Sequence, residues 1–564
     1  MDRKPGNEEA LADAARDHAN ILSPVIGLRA RDLAASGMAL LKQAVLQPAL
    51  GAEYSTKLLA EMVRVVVGSS DVRPNPRDRR FSDSAYSEHG LYRRLAQGWC
   101  AIDRTVDEWV SATGLEEDEL KRARFIIRLI TDSLAPGNFL LGNPSALRTA
   151  RETRGASLMR GLRNLAKDWA ENGGMPSQVD KTPFRVGTNL ATTHGSVILE
   201  HPVAELIQYA ASTKRVRSRP ILIAPPQINK FYIYDMSPKN SLVKYLVDQG
   251  FQVFMLSWRN PTAEQRDWGI AEYADAIADS LSTIRAVSRQ KKIDVVGACA
   301  GGITMTAALA YFAGIGREDD VASLTLMVNV LEPNAEDTDV GLFLNDDIIE
   351  AARKRSSRAG VLDGKSTARV FSWMRPNDLI WNYVANNYLH GNQPPAFDLL
   401  YWNADTTRLP ARLHSDFLSI FKDSPFRNPG KMLIRDVPID IRSIQCPVFL
   451  TGGTTDHITP WHACYRSTQL FPGDTTFVLS TAGHIQSLIN PPENSKRRFM
   501  TNPQTPADPN DWLADAKEHD GSWWPYWCEW LRNLDATERN APRKTGNKAF
   551  PPLRPAPGKY VYES

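Results

Sequence analysis

The segment Gly297–Gly301, with the sequence Gly-Ala-Cys-Ala-Gly, joins a predicted strand to a predicted helix. The strand is the apolar, β-branched run Ile293–Val296, and the helical stretch starts at Gly302. A turn of small residues between a strand and a helix, with glycines two residues to either side of the centre, is typical of a nucleophile elbow. Such a turn is strained and tight, so any Cβ at the two glycines would crowd the adjoining strand and helix. The sequence therefore predicts that Cys299 lies on a sharp bend at the end of a strand.

The centre of this elbow is a cysteine, where a serine is usual. A thiol at that point forms an acyl thioester, which can pass its acyl group to another acceptor. The motif at Cys299 therefore points toward acyl transfer rather than plain hydrolysis. A lone cysteine in an apolar context is usually an inert part of a core, so the motif needs partners elsewhere in the chain.

The composition describes an ordinary globular protein and excludes several classes of function. Of the 564 residues, 42% are apolar and 23% charged, and a net charge of +3 is too small to imply a broad nucleic-acid-binding field. The first residues are charged and lack the apolar core of a signal peptide, and no apolar run approaches the roughly 18 residues that span a bilayer. Five widely spaced cysteines without a Cys-x-x-Cys pair favour a reducing cytoplasm over a disulfide framework or a zinc site. We expect no metal, no nucleic-acid partner and no transmembrane segment.

The pattern of apolar residues changes near residue 186. Residues 1–185 have the three- and four-residue spacing of helices, for example at 33–41 and 120–130. After that point short apolar runs alternate with helical stretches, which predicts a mostly parallel sheet with helices on both faces. The predicted strands are residues 220–224, 251–258, 293–296, 323–330, 446–453 and 476–480. Ser237 and Pro238 have the types expected at the N-cap and first position of a helix that ends at Gly250.

The alternation stops between about residues 333 and 440, which we interpret as an inserted cap over the carboxyl edge of the sheet; a decorative subdomain is the alternative. The predicted fold class is α/β, an α/β-hydrolase fold with an inserted cap subdomain, preceded by a mostly helical N-terminal domain. The predicted domains are residues 1–185 and the catalytic residues 186–564. The basic, proline-rich residues from 541 onward indicate an extended or docked tail.

Partners for the thiol follow in the order that this fold uses, an acid and then a histidine, each after a late strand. Asp456 follows the predicted strand 446–453, and His484 follows 476–480. A free thiol, with a pKa near ~8.5, needs a base at neutral pH. Each residue alone could be a core thiol, a helix cap or a loop residue, but their order favours a catalytic set of Cys299, Asp456 and His484. His457 is the rival base, although a residue adjacent to Asp456 should face elsewhere.

An acyl-transfer site also needs backbone N–H groups that stabilise an oxyanion. One should belong to Ala300, directly after the nucleophile, and the other to the turn after strand 220–224. In that turn we favour Ile228 or Asn229, while Asn229 could also be a simple turn residue. The basic cluster at residues 214–219 could meet the phosphates of a nucleotide-bearing substrate, but a solvated surface run is the favoured interpretation.

Together these motifs resemble those of polyhydroxyalkanoate synthases, the polyester polymerases of bacterial storage granules. The matching segments are residues 225–233, 256–261, 297–302, 378–383, 456–461 and 483–492. The alanines on both sides of Cys299, the surroundings of His484 and the chain length are most similar to the class II enzymes of pseudomonads. The resemblance extends over most of the chain and is weakest in its first hundred residues.

The resemblance implies an enzyme that polymerises (R)-3-hydroxyacyl-CoA of medium chain length and releases coenzyme A, without a second kind of subunit. It implies that Cys299 carries the acyl group or growing chain as a thioester. His484 would deprotonate Cys299, and Asp456 would orient His484. The helical N-terminal domain would contribute to a homodimer and to attachment at the surface of polyester granules in the cytoplasm. No cofactor is implied, because coenzyme A is part of the substrate.

Two other functions fit parts of the sequence. A cysteine-dependent α/β hydrolase, either a thioesterase or a polyester depolymerase, would share the three residues but release free acid. A non-catalytic protein that coats granules would have kept the fold alone, and the complete set of Cys299, Asp456 and His484 argues against it.

Overall fold

The computed structural model describes residues 42–43, 45–76, 78–334, 337, 346–364, 372–373, 376–493 and 496–564. The helix expected at residues 33–41 lies outside this part of the chain. The N-terminal part is helical as predicted, and the helix expected at residues 120–130 is confirmed. Its helices are α1 (Pro48–Val67), α2 (Ala85–Glu88), α3 (Gly90–Ala112), α4 (Glu117–Ser133), α5 (Pro144–Glu152) and α6 (Ala156–Glu171).

The rest of the chain contributes the strands and a second series of helices. The strands are β1 (Gly195–Glu200), β2 (Ala204–Tyr209), β3 (Arg215–Arg217), β4 (Pro220–Ala224), β5 (Gln252–Trp258), β6 (Ile293–Ala298), β7 (Val321–Met327), β8 (Val361–Leu362), β9 (Leu409–Pro410), β10 (Leu433–Ile434), β11 (Val437–Pro438), β12 (Val448–Gly453), β13 (Thr475–Ser480), β14 (Arg498–Thr501), β15 (Lys517–Asp520), β16 (Glu538–Asn540) and β17 (Arg554–Pro555). The helices are α7 (Leu242–Asp248), α8 (Ile270–Ser288), α9 (Ala300–Gly314), α10 (Asp346–Ala359), α11 (Asp398–Asn403), α12 (Ala411–Asp423), α13 (Trp461–Arg466), α14 (His484–Leu488), α15 (Pro509–Ala514) and α16 (Trp524–Leu534).

Eleven strands form one mixed sheet in the order β15-β14-β13-β12-β7-β6-β4-β5-β2-β1-β17. The six strands from β13 to β5 are parallel, as predicted, and the flanking strands are antiparallel. Strand β6, which leads to Cys299, lies between β4 and β7, and β12 and β13 follow on the β7 side. The carboxyl ends of β4, β6, β7, β12 and β13 are therefore neighbours along one edge of the sheet.

The central strands are continuous apolar runs because helices cover both faces of the sheet. Every residue of β4, β5 and β6 is buried. On β4, Leu222 packs into the core beneath α8 and α9, whereas its neighbours Ile221 and Ile223 pack into the core beneath α7 and α16. Alternate side chains of one strand thus pack into the cores on the two faces of the sheet. Strand β6, which leads to Cys299, is buried in the middle of this sheet.

The start of α7 differs from the prediction. The helix begins at Leu242, and its N-cap is Ser241 rather than Ser237. The Ser241 hydroxyl accepts a hydrogen bond from the N–H of Lys244 (2.9 Å) and donates one to Asp235 (2.7 Å), which fixes the helix terminus four residues later. The backbone carbonyl of Ser237 instead accepts a hydrogen bond from the N–H of Asn240 in a turn (2.8 Å).

The C-terminal tail is docked on the sheet. Strand β16 pairs with β3, and β17 pairs with β1 at the edge of the large sheet. Between β7 and β12 the described chain forms α10 to α12, short hairpins and two π-helical segments at Asn377–Trp381 and Val384–Leu389. The division of the chain at residue 185 and the extent of the cap at 333–440 stay predictions. In the described part of the chain, no helix combines the length and apolarity needed to cross a membrane.

Candidate active site

Cys299 occupies the bend between β6 and α9, as the motif predicts. Its backbone is left-handed, with φ +47° and ψ −126°, a conformation that is costly for a residue with a side chain. Two neighbours hold it there: the N–H of Cys299 donates to the carbonyl of Met327 (3.0 Å), and Asn329 Nδ2 donates to the carbonyl of Cys299 (2.6 Å). The last residue of β7 and Asn329, two residues after the strand, therefore fix the backbone of the nucleophile.

The glycines around Cys299 are required by close approaches of backbone. A Cβ on Gly297 would come within 2.6 Å of the Cα of Gly302. A Cβ on Gly301 would come within 2.5 Å of the carbonyl oxygens of Ala224 and Pro225. The crowding expected on both sides of the elbow is confirmed, and it places the first turn of α9 directly against the end of β4.

Asp456 and His484 meet beside the elbow. The Oδ2 atom of Asp456 lies 2.7 Å from Nδ1 of His484, and both side chains are buried. The other carboxylate oxygen, Oδ1, accepts hydrogen bonds from the N–H groups of Ile458 and Thr459, at 2.9 Å each. The Thr459 hydroxyl donates to Asp456 Oδ2 (2.7 Å) and lies 3.0 Å from His484 Nδ1. Thr459 is thus a third member of this pair, and sequence reasoning did not identify it.

The charges of this group support one another. Burial alone would lower the pKa of His484, but the charge and hydrogen bond of Asp456, followed by the Cys299 thiol, raise it to about 10. Burial would raise the pKa of Asp456, but His484 and then Thr459 lower it below its usual range. A charged imidazole on an ionised carboxylate is therefore the favoured state of the pair.

Because Nδ1 of His484 faces Asp456, the other ring nitrogen, Nε2, is the one available to Cys299. Nε2 is buried and has no aligned hydrogen-bond partner within the described residues. The thiol of Cys299 is nevertheless near enough to contribute to the raised pKa of the ring. Such contacts are often poorly aligned in free enzymes and tighten when substrate binds. The structure thus brings all three predicted residues together.

The other four cysteines carry thiols whose pKa is raised by burial, which disfavours the reactive thiolate form. Burial raises the pKa of the thiols of Cys100, Cys446 and Cys528 to about 11, 12 and 12, and it raises that of Cys464 well above its ordinary value. Among them, Cys464 donates to the carbonyl of Thr459 (3.4 Å) and so belongs to the packing beneath the acid.

Two alternatives from the sequence concern His457 as the base and the basic cluster at residues 214–219 as a phosphate-binding surface. His457 is half-buried on the loop after β12, and the ring that contacts Asp456 belongs to His484. In the basic cluster, Arg215 pairs with Glu538 (3.2 Å), and Arg219 pairs with Asp294 (3.3 Å). Arg215 thereby joins β3 to β16, and Arg219, directly before β4, joins that strand to β6. The cluster therefore has a structural explanation at those two positions.

The predicted oxyanion residues lie on the two sides of the junction between β4 and β6. Ala300 is the first residue of α9, and Ile228 and Asn229 belong to the turn after β4. Thr407 holds that turn, because its N–H donates to the carbonyl of Ile228 (2.9 Å) and its hydroxyl to the carbonyl of Gln227 (2.5 Å). Asn229 is buried, and neither polar atom of its side chain has a partner in the described part of the chain.

Two further polar groups near the elbow were not predicted. The hydroxyl of Tyr234 is buried with no partner among the described residues, and burial followed by the charge of Cys299 raises its pKa. Gln227 donates through Nε2 to the hydroxyl of Thr304 on α9 (2.9 Å). Only the fold reveals these contacts, because they join segments about 65 to 180 residues apart. No group of three His, Cys, Asp or Glu side chains in the described residues is placed to hold a metal ion.

The order of strands, the elbow after β6 and the loops after β12 and β13 define an α/β-hydrolase fold. In agreement, residues 222–491 match the family model "alpha/beta hydrolase fold". Residues 77–246 match the model "Poly-beta-hydroxybutyrate polymerase (PhaC) N-terminus", which covers most of the helical part.

Similar curated proteins extend along nearly the whole chain. Poly(3-hydroxyalkanoate) polymerase 1 of Ectopseudomonas oleovorans is 45% identical over 557 residues, which is 99% of each chain. Polymerase 2 of the same organism is 45% identical and covers 96% of each chain. The poly(3-hydroxyalkanoate) polymerase subunit PhaC of Cupriavidus necator is 39% identical over 86% of this chain and 83% of its own. This chain therefore belongs to the poly(3-hydroxyalkanoate) polymerase family, a family of acyltransferases.

Proposed function

We propose that this enzyme polymerises (R)-3-hydroxyacyl-CoA into polyhydroxyalkanoate through a thioester on Cys299, with release of coenzyme A. The observation that carries the proposal is the meeting of Cys299, His484 and Asp456 at one edge of the sheet in a member of a polymerase family. A cysteine, rather than a serine, gives an acyl-enzyme close in energy to the thioester substrate, which suits repeated loading and unloading.

In the loading step, His484 holds on Nε2, as an imidazolium, the proton that came from the Cys299 thiol, and the sulfur attacks the carbonyl carbon of the hydroxyacyl-CoA. The bond from that carbon to the sulfur of coenzyme A breaks, and the proton passes from His484 to the departing thiolate. In the elongation step, His484 removes the proton of a 3-hydroxyl group, whose oxygen attacks the Cys299 thioester. An ester forms, and the sulfur of Cys299 is released and regains the proton.

Asp456 supports both steps by stabilising the imidazolium form of His484. The oxyanion of each tetrahedral intermediate would be bound by the N–H of Ala300 and by that of Ile228 or Asn229. Thr407 supports this assignment because it binds the carbonyl groups of the turn on one side, which leaves the N–H groups to face the elbow.

Burial favours transfer to a hydroxyl over hydrolysis. Cys299 is 7% exposed and His484 is 1% exposed. A site that excludes water protects a thioester until a substrate hydroxyl enters. The alternative function, a cysteine-dependent hydrolase, shares the fold and the three residues, and the two functions differ only in the acceptor.

The chain-length preference and the cellular location are separate proposals. We propose medium-chain (R)-3-hydroxyacyl groups because the motifs are most similar to class II enzymes. We also propose that the helical N-terminal part forms a homodimer and attaches the enzyme to the surface of cytoplasmic polyester granules. Exposed apolar side chains on its helices support this, among them Leu59 and Val63 on α1 and Leu162 and Trp169 on α6.

The test is coenzyme A release by the purified protein from a series of (R)-3-hydroxyacyl-CoAs of four to twelve carbons, with the product mass recorded in parallel. We expect polymer and one coenzyme A per monomer, fastest with the medium chains. Monomeric acid in place of polymer would identify a hydrolase. Release that persists undiminished in Cys299→Ala would require another nucleophile or refute the enzymatic role of this site.

A further inference from the structure

The C-terminal segment Lys559–Ser564 lies beside the turn that follows β4, although the two are more than 320 residues apart in sequence. The side chain of Lys230, in that turn, is almost completely buried. Its Nζ donates hydrogen bonds to the carbonyl oxygens of Glu563 and of Tyr560, the latter at 3.4 Å. The tail therefore provides the acceptors for a buried cation next to the proposed oxyanion residues.

A buried ammonium group is costly unless it is hydrogen-bonded and near compensating charge. Burial lowers the pKa of Lys230, and the negative charges of Asp405 and Glu563 oppose that effect. The carbonyl of Lys230 is also bound, because it accepts a hydrogen bond from Trp402 Nε1 (2.7 Å). With the tail displaced, Lys230 would lose both of these acceptors, and its ammonium group would have to be hydrated or find new partners, which would rearrange the turn.

The carboxylate of Glu563 fastens the tail to the segment after β5. Its Oε2 accepts from the backbone N–H of Asn260 (3.1 Å), and Oε1 lies 3.3 Å from Arg259 Nε. Asn260 is buried, and its Nδ2 donates to the carbonyl of Glu563 (3.3 Å). The guanidinium of Arg259 also lies over the ring of Tyr560 at 5.1 Å. Charge, hydrogen bonds and an aromatic contact thus converge on two residues of the tail, Tyr560 and Glu563.

The same network continues to the nucleophile. Asn260 Oδ1 accepts from the N–H of Arg408 (2.9 Å), and the preceding Thr407 binds the carbonyls of the turn. From the turn, Gln227 reaches the hydroxyl of Thr304, which donates to the carbonyl of Ala300 (3.1 Å). An unbroken series of contacts therefore joins Glu563 to both sides of the proposed oxyanion site.

We propose that the tail Lys559–Ser564 is a positioning element of the acyl-transfer site, in which Glu563 and Lys230 hold the turn after β4 at the distance that its N–H groups need to stabilise the oxyanion. Neither residue touches the reacting atoms. The inference rests on the proposed function, and it adds that catalysis depends on the docking of the tail.

The test compares Glu563→Gln with Glu538→Gln in the full-length enzyme. Glu538 is a matched control because it is another glutamate of the C-terminal part that pairs with arginines, Arg215 and Arg217, but at β3. We expect Glu563→Gln to lower kcat for coenzyme A release about tenfold, which corresponds to ~1.4 kcal/mol of transition-state stabilisation, with KM changed less than twofold. The alkylation rate of Cys299 by iodoacetamide should stay unchanged, because the thiol and its histidine are not disturbed. Glu538→Gln should match the parent enzyme in all three measurements.

A second variant keeps the proposal testable if Glu563→Gln does not fold. Arg259 is partly exposed, so Arg259→Gln should fold, and we expect it to lower kcat in the same direction with unchanged alkylation. Parent-like kcat in both variants, or a kcat loss matched by an equal loss of Cys299 alkylation, would overturn the proposal. An inactive parent enzyme, or a Cys299→Ala variant that still releases coenzyme A, would instead refute the proposed function itself.

Discussion

At the scale of single residues, the Asp456 carboxylate is defined by the loop that carries it. It accepts two backbone N–H groups and the Thr459 hydroxyl before it contacts His484. A carboxylate bound in this way is held in one orientation and stays ionised. The positions of the acid and the histidine were predictable from their order after strands, whereas Thr459 was not, because threonine after a turn has many ordinary roles.

The Asp456–His484 pair should make stability depend on pH in both directions. The raised pKa of His484 contributes stability that is complete below the ordinary value of ~6.5 and is lost as the pH rises through about 10. The lowered pKa of Asp456 contributes stability that is present above ~3.9 and is lost as the pH falls through its folded value. We therefore expect Asp456→Asn to be less stable than the parent by about 3 kcal/mol between pH 4 and 6.5, with a smaller difference toward pH 10.

Urea denaturation of the parent and of Asp456→Asn across this range measures the difference. Asp440→Asn is a suitable control, since Asp440 is a loop aspartate that pairs with an exposed arginine. A difference that grows toward pH 10 would contradict the assignment of a charged imidazole to the pair.

At the scale of elements, the elbow was predictable because its constraint is local. Two glycines at fixed spacing and a change from β-branched to helical residues identify it within ten residues. The central strands were predictable for a similar reason, since each is buried on both faces. The antiparallel edges β1, β2, β14 and β15 were not predicted, because their pairing depends on partners far along the chain. The displaced N-cap of α7 has a local cause, because the Ser241 hydroxyl donates a hydrogen bond to Asp235, six residues before it.

The close approach of α9 to β4 gives a prediction at this scale. In Gly301→Ala the new Cβ would meet two backbone oxygens at 2.5 Å, and backbone cannot move aside cheaply. We expect a loss of ~1–3 kcal/mol in stability and a fall of about a hundredfold in coenzyme A release, because the nucleophile and the turn after β4 are forced apart.

The matched control is Gly51→Ala on α1, where no atom lies within 4 Å of the added Cβ. It should keep full activity and gain ~0.5–1 kcal/mol from helix propensity. Parent-like stability and activity in Gly301→Ala would show that the tight contact is not needed.

At the scale of the whole molecule, the C-terminal tail is docked on the sheet, whereas the described N-terminal helices carry exposed apolar side chains. The tail is fastened to the sheet and to the turn beside the active site, while the N-terminal helices keep large apolar side chains exposed. On α6, Met159, Leu162 and Trp169 are 66%, 59% and 76% exposed and recur at helical spacing. The motif-based prediction of the tail left extended and docked forms open, because its anchors, Lys230 and Asn260, lie in distant segments.

The exposed face of α6 should contribute to granule attachment. We expect the double variant Leu162→Glu, Trp169→Glu to float with isolated polyester granules severalfold less than the parent in a density gradient, with unchanged coenzyme A release from soluble substrate. Lys167→Glu, an exposed charge change on the same helix, should float like the parent. Equal flotation of all three proteins would show that the exposed face of α6 does not contribute to granule attachment.

The account depends most on the thioester at Cys299, and mass spectrometry of the acyl-enzyme tests it directly. The enzyme is mixed with (R)-3-hydroxyoctanoyl-CoA, quenched in acid within a few turnovers and digested. We predict that the peptide containing Cys299 gains the mass of one or more hydroxyacyl units, that neutral hydroxylamine removes them, and that Cys299→Ala shows neither the adduct nor coenzyme A release. Hydroxyacyl units on any other side chain, or polymer formed by Cys299→Ala, would contradict the account.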